Sequence, residues 1–389
     1  MTHNFDERIE RRNTDSKKYS PLFFESDVLP MWIADTDFKC PQPIVEAVVA
    51  RAEHGVYGYP YDMDSFSEAV CRWMDTRFGY KFGPEAVMYC PGVIPGVICA
   101  VRAFSDPGDK IVVQTPCYPP FRALVINNGR TMLENRMRLQ NGRYEIDFEL
   151  LEKQLSDPRT RILLLCNPQN PTGRVFTREE LEKMLELCVA NDVIVISDEI
   201  HCDLTYGAHE HIPFGSLSEK ARKNSVVFVN PSKTFNTAGF RTAAMISPDA
   251  DLKNRVYQQE VNGKTFGRTV FGPLALTVAY NECAFYADEL MEYLEGNLAL
   301  LRERLAGIKQ IELTEPEATY LMWLDCRAMG LPHAEIKSFF AHDAKVGLND
   351  GMSFGSEGEG FMRLNIACAR DVLAQGLDRI EAACRTRFN

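Results

Sequence analysis

The chain has 389 residues, 45% hydrophobic and 25% charged, an ordinary globular composition with length enough for two domains or one large one. Its formal charge of −11 and isoelectric point near 5.3 argue against a nucleic-acid partner or an anionic membrane surface. No run of about 18 apolar residues predicts a membrane span, the N-terminus lacks the apolar core of a signal peptide, and the twelve cysteines contain no C-x-x-C pair that would suggest zinc or a disulfide framework. A reduced cytoplasm is the expected compartment.

Residues 1–45 are polar and turn-rich up to Met31-Trp32-Ile33-Ala34-Asp35-Thr36-Asp37-Phe38. Carboxylates among apolar residues there suggest a segment pinned across a core edge; from spacing alone, an extended arm with a turn is the simpler expectation. Helical periodicity over 43–54 has a proline at its start. A loop with Tyr57, Tyr59 and Tyr61 follows, then a second helix over 65–78. A strand over 87–90 leads into Pro91-Gly92-Val93-Ile94-Pro95-Gly96 and an apolar helix to Phe104. A glycine turn that opens a helix offers free N–H groups and the positive end of the helix dipole, a phosphate cradle in principle. The spacing matches neither a Walker loop nor G-x-G-x-x-G, so the signal is weak in isolation.

Strands over 111–114, 162–166, 193–197 and 226–229 alternate with helices, one opening at Thr115-Pro116-Cys117-Tyr118-Pro119-Pro120-Phe121 and one over 178–190. This βαβ rhythm predicts an α/β fold with a mainly parallel central sheet and helices on both faces. Each candidate polar group falls just past the C-terminal end of a strand, the edge where open α/β sheets bind ligands. From about Glu282 the pattern changes. A long helical stretch to about Gly307, strands over 319–325 and 361–366, and a closing helix over 371–385 predict a smaller α+β domain. The expected division is a large domain over 46–282, with 1–45 and 283–389 forming the N-terminal arm and the small domain.

The chemistry centres on Asn230-Pro231-Ser232-Lys233-Thr234-Phe235-Asn236-Thr237-Ala238-Gly239-Phe240-Arg241, directly after the strand over 226–229. A lysine so placed is withdrawn from water, which lowers its pKa. Such an amine can condense with a carbonyl, and pyridoxal phosphate (PLP) is the usual carbonyl at such a lysine. Taken alone, an ordinary loop lysine is an equal reading. Asp198 ends an apolar strand, where an unpartnered carboxylate is costly; the protonated ring nitrogen of PLP would serve. Asn170 can hydrogen-bond the cofactor's phenolic oxygen, Tyr118 can stack on its ring, and Arg241 can grip its phosphate through two N–H groups. Singly, turn chemistry and core packing explain Asn170 and Tyr118 better.

Two other motifs fall away. Gly351-Met352-Ser353-Phe354-Gly355 matches G-x-S-x-G, but the last histidine is His342, so no later histidine completes a triad. His209-Glu210-His211 lacks i, i+4 spacing and further ligands, which predicts a surface loop and no metal.

Together, N-P-x-N-P-T-G, S-D-E and S-K-T-F-N-x-A-G-F-R, in this order, resemble the fold type I PLP enzymes over nearly the whole chain. Within that superfamily the chain is most similar to the MalY/PatB-type C–S lyases. The similarity lies in F-D-x-x-I-x-R-R-N-T-x-S-x-K, W-I-A-D-x-D-F, G-V-x-P-G-V, T-P-x-Y-x-P-F, D-E-I-H-x-D-L, E-x-T-Y-L-x-W-L-D and G-F-x-R-L-N-I-A. The resemblance implies that Lys233 holds the cofactor covalently and that Asp198 pairs with its pyridinium nitrogen. Asn170 would contact the phenolic oxygen with His201 nearby, and Tyr118 would stack on the ring. Gly92, Val93, Ile94, Ser232 and Arg241 would hold the phosphate, which Tyr59 would reach from the partner subunit of a homodimer. Arg363 would bind the substrate carboxylate, with Ala34 and Asp35 lining the pocket. The implied reaction is β-elimination from L-cystathionine or L-cysteine-type amino acids, with a class I/II aminotransferase as the alternative and a regulatory protein-binding role as an addition. Thr36 stands where the lyase motif usually has Met, Gln169 where His is frequent and Ala318 where Gly is usual; Thr172 is the aminotransferase-like choice, and Asn230 occupies a position often held by Ser in aminotransferases.

Overall fold

The computed structural model describes residues 3–265 and 267–388. Its centre is a seven-stranded sheet of β1 (Val87–Cys90), β2 (Lys110–Thr115), β3 (Thr131–Arg136), β4 (Thr160–Cys166), β5 (Ile194–Asp198), β6 (Ser225–Val229) and β7 (Ala243–Ile246), in the spatial order β1-β7-β6-β5-β4-β2-β3. All neighbours are parallel except β7, which runs antiparallel to both β1 and β6. The continuous apolar runs exist because both faces of the sheet are covered. Along β4, Leu163 and Leu165 pack into one core while Ile162 and Leu164 pack into the other, the alternation of a pleated strand.

Two strands were not signalled by apolar runs. β3 is an edge strand with the polar sequence Thr-Met-Leu-Glu-Asn-Arg, where one side of the ladder needs no burial. β7 has four residues, two of them alanine, a residue depleted in strands; it becomes a strand because β1 and β6 flank it.

Helices α1 (Gln42–Glu53), α2 (Asp64–Phe78), α3 (Val93–Phe104), α4 (Pro119–Asn127), α5 (Arg178–Ala190), α6 (Ala250–Gly263) and α7 (Phe271–Glu282) accompany this sheet. A capping box of Thr177 and Glu180 starts α5, satisfying otherwise orphaned N–H groups at its first turn. Gly96 lets α3 lie close on the sheet: a Cβ there would stand 2.5 Å from Phe228 Cε1 and 2.9 Å from Cys90 Sγ. The long helical stretch expected from about Glu282 to Gly307 is α8 (Ala284–Leu305), and an interruption at Cys283 separates it from α7. Beyond it lie β8 (Glu312–Leu313), β9 (Leu321–Asp325), β10 (Asn349–Asp350) and β11 (Phe361–Asn365), an antiparallel sheet in the order β8-β9-β11-β10, and the closing helix α9 (Arg370–Phe388).

The N-terminal segment is pinned, as its carboxylates suggested, rather than a loose arm. Lys18, only 1% exposed, donates to Asp37 at 2.7 Å. Arg11 reaches Asp35 and Asp37, each at 2.6 Å. Asn365 of β11 donates to the carbonyls of Ile33 and Asp35, and Asn236 donates to those of Thr36 and Phe38. The backbone of residues 33–38 is therefore held between β11 and the turn that carries Lys233.

Candidate active site

The Lys233 turn follows from local rules. After β6, Asn230 Oδ1 accepts the Ser232 N–H at 2.6 Å and starts the helical turn Ser232–Phe235. Asn236 ends it in left-handed backbone at φ 56°, a conformation asparagine tolerates better than most residues. Buried Thr234 anchors the turn by donating to Asp203 Oδ2 at 2.8 Å, and Asp203 Oδ1 also accepts from Trp73 at 3.1 Å. Lys233 is half-buried, and its Nζ donates to the Ala34 carbonyl at 2.6 Å. Burial first, then the nearby Arg363 cation, pulls its amine down to about 8, so the neutral, nucleophilic form is within reach near neutral pH.

Asp198 is the last residue of β5 and is buried. Its carboxylate accepts the Ile200 N–H at 3.2 Å, and burial pushes its pKa up to about 7. His201, one turn on, is buried, and its Nδ1 has no partner among the described residues. Burial, with the charges of Lys233 and Arg363 beside it, drives its pKa well down, so the ring is neutral. Tyr320 stands edge-on to it, ring centres 6.3 Å apart, and donates its hydroxyl to the Ala34 carbonyl at 3.4 Å.

The loop after β4 presents Asn170. Gln169 Nε2 donates to the Pro116 carbonyl at 2.6 Å, while its Oε1 accepts the Thr172 N–H at 3.0 Å; Asn167 Oδ1 accepts the Phe176 N–H at 3.1 Å. These bonds fix the loop so that Asn170 Oδ1 accepts from Arg363 Nη1 at 2.9 Å. Arg363, in the middle of β11, also donates through Nη2 to the Trp32 carbonyl at 3.0 Å and to Asn349 Oδ1 at 2.6 Å. Burial lowers even this guanidinium, to about 10. One space thus collects an amine, a carboxylate, a neutral imidazole and a guanidinium.

The sequence pattern of the aminotransferase class I and II family matches residues 28–380. The chain belongs to this family. It is 43% identical over 385 residues to the cystathionine beta-lyase PatB of Bacillus subtilis (strain 168), covering 98% of this chain and 99% of that protein. It is 33% identical over 390 residues to the protein MalY of Escherichia coli (strain K12), covering 98% and 99%. Among solved structures it resembles cystalysin from Treponema denticola, which contains a pyridoxal 5'-phosphate cofactor, with TM-score 0.95, 31% identity and coverage of 99% and 100%. It also resembles the PLP-bound C–S lyase from Staphylococcus hominis, with TM-score 0.89, 30% identity and 98% coverage of each chain.

In this aminotransferase-family chain the remaining expected residues fall in two groups. Tyr118, at the start of α4, is half-buried, and burial followed by the Asp198 charge raises its phenol pKa. Gly92 takes φ 121°, open to glycine alone among common residues, and turns β1 into α3, whose first N–H groups belong to Val93 and Ile94. The β1–β7 ladder ends where Ala243 pairs with Cys90, and Arg241 lies two residues before Ala243 and Gly92 two residues after Cys90. Arg241 is exposed, and its carbonyl accepts from Tyr89 at 3.3 Å. Ser232 is buried beside Lys233.

One expectation, that for His211, needs adjustment, and others gain detail. Ala34 meets Lys233 through its carbonyl, and the Asp35 carboxylate, paired with Arg11 at 2.6 Å, lies near enough for its charge to act on Lys233. Tyr59 is fully exposed and outside this chain's own cluster. His209 and Glu210 are exposed on a loop as expected, but the His211 side chain turns inward and is buried, its Nε2 2.8 Å from Glu199 Oε2, which is itself buried and needs donors. Asn349, Tyr320 and the Trp32 carbonyl were missed as site groups. Tyr320 and Trp32 lay inside quoted motifs, the latter acting through its carbonyl; Asn349 is brought to Arg363 by strand pairing, which leaves no residue-type signal.

Proposed function

We propose that this protein is a PLP-dependent carbon–sulfur β-lyase acting on L-cystathionine and related cysteine-type amino acids. The observation that carries the reading is the convergence of the Lys233 amine, the Asp198 carboxylate and the Arg363 guanidinium in one buried space. The residues suit the cofactor. A lowered amine fits a carbonyl, a carboxylate raised by burial fits a cationic ring N–H, and the start of α3, with Arg241, fits a phosphate.

When bound, PLP supplies an electron sink for the pair left as the Cα–H bond breaks. In this reading Lys233 would hold the cofactor at rest, and its Nζ, once freed by the substrate amine, would take the Cα proton. Asp198 would keep the ring nitrogen protonated. Asn170 Nδ2 would be left to meet the phenolic oxygen, since Oδ1 is taken by Arg363, with neutral His201 nearby, and Tyr118 would stack on the ring. Gly92, Val93, Ile94, Ser232 and Arg241 would hold the phosphate. Arg363 orients the substrate by its carboxylate, so that the Cα–H bond faces the lysine and the sulfur can leave Cβ as thiolate.

The names of the full-length relatives favour elimination over amino-group transfer. With L-cystathionine and no added keto acid, pyruvate, ammonia and homocysteine should appear in equal amounts, followed by lactate dehydrogenase coupling and a thiol reagent. Turnover that requires a keto-acid acceptor and releases no thiol would establish the aminotransferase reading instead.

The same reading includes a homodimer. Val56, Tyr57, Tyr59 and Tyr61 form an exposed apolar loop, a surface that monomers seldom leave uncovered, and closed two-fold dimers are the commonest oligomers. Tyr59 would reach the phosphate site of the second copy. Tyr59→Phe should weaken PLP affinity about tenfold, the worth of one hydrogen bond to a charged group, measured by fluorescence titration of cofactor-free protein; unchanged affinity would refute the shared site. The interruption at Cys283 supports the division into 46–282 and the two flanking segments. The free thiols support a reducing cytoplasm, and among the described residues no helix is long and apolar enough to cross a membrane.

A further inference from the structure

The stretch over 349–354, which holds the rejected G-x-S-x-G match, has a different role at the site. β10 pairs with β11 so that Asn349 lies directly opposite Arg363, and residues opposed in a ladder share a face. Asn349 Oδ1 accepts from Arg363 Nη2 at 2.6 Å. Five residues on, the Phe354 ring lies under the guanidinium, its centre 4.8 Å from Cζ. Both contacts are held firmly. The Phe354 carbonyl accepts the Cys117 N–H at 2.8 Å, beside Tyr118, and Trp323 packs edge-on to the ring at 5.4 Å. The next residue, Asp350, points to the opposite side, where His333 and Lys337 each approach it to 2.7 Å.

The pleat therefore sends a carboxylate outward and a neutral amide inward. Among the described residues, the hydrogen bonds of buried Arg363 go to three neutral oxygens, those of Asn170, Trp32 and Asn349, and its Nε has no partner. A buried cation without an opposite charge is costly, and the cost is recovered when a ligand brings the anion. We propose that Asn349 is a positioning residue for carboxylate recognition: it fixes the plane of the Arg363 guanidinium while leaving its charge for the ligand to neutralise. This rests on the reading that Arg363 binds the substrate carboxylate. An aspartate at 349 would supply the anion from within and compete with the ligand.

The test titrates the PLP-loaded protein with L-alanine and with ethylamine, which is alanine without its carboxylate, following visible absorbance and heat of binding. Asn349→Asp should weaken L-alanine about a hundredfold, as expected when a buried charge already has its partner, and leave ethylamine within about twofold. Asn349→Ala, which carries the test should the aspartate variant not fold, should weaken L-alanine about tenfold through loss of a charge-assisted bond. In an Arg363→Met background, neither change at 349 should distinguish the two ligands. Equal weakening of both ligands by the Asn349 variants, with Arg363→Met weakening L-alanine but not ethylamine, overturns the Asn349 role alone. Unchanged L-alanine affinity in Arg363→Met overturns the carboxylate reading, and this proposal with it.

Discussion

Lys233→Ala should reduce β-elimination from L-cystathionine by at least about 10⁴-fold, the upper range of a positioned general base, because the change removes the cofactor anchor and the Cα base together. The mutation should not unfold the protein. Lys233 is half-buried and its amine donates to a backbone carbonyl, whereas the turn is anchored by its neighbours Thr234 and Asn236. Borohydride reduction of the unmodified protein, followed by peptide mass analysis, should place the cofactor on Lys233. In the variant the cofactor should be removable by dialysis after the same treatment. A reduced adduct on another lysine would sink the assignment of Lys233, and with it the roles built around that amine.

Asp198→Asn should have effects of opposite sign with and without cofactor. In the cofactor-free protein the Asp198 carboxyl titrates at about 7 against an ordinary 3.8, with burial as the main cause. A folded-state pKa above the unfolded one means that the folded chain holds a proton the unfolded chain has released. Stability is therefore full below about pH 4 and falls as pH rises through 7. Asparagine cannot ionise, so the variant escapes this loss. At pH 8 it should be more stable by up to about 4 kcal/mol, at about 1.4 kcal/mol per pKa unit, and at pH 4 the two proteins should unfold alike. With PLP bound the order reverses, because a cationic ring nitrogen loses its buried anion, worth about 3–5 kcal/mol, and activity should fall at least about a hundredfold. Thermal melts of cofactor-free protein at pH 4 and 8, set beside the lyase assay, check both halves. A variant no more stable at pH 8 would show that Asp198 is paired within the chain.

Much of the parallel sheet was legible from residues alone. Strands β1, β2, β4, β5 and β6 are apolar runs because both faces of the sheet are covered, and Lys233, Asp198 and Asn170 stand just past the ends of such runs. α5 carried its own capping box, so its bounds matched the periodicity. These features depend on neighbours in the chain, and local order of that kind is written in residue type and spacing.

What the tertiary structure alone decided depends on partners far apart in the chain. β7 is a strand only because β1 and β6 flank it. The Asp35 carboxylate meets Arg11, in an ion-pair cluster with Lys18 and Asp37. His211 is buried because Glu199, folded beneath it, needs a donor. Asn349 meets Arg363 through the β10–β11 register, which a shift of one residue would replace with Asp350. Motifs name residues that could do chemistry; which of them share a space, and with what charge beside them, is settled by long-range packing and pairing that no local spacing encodes.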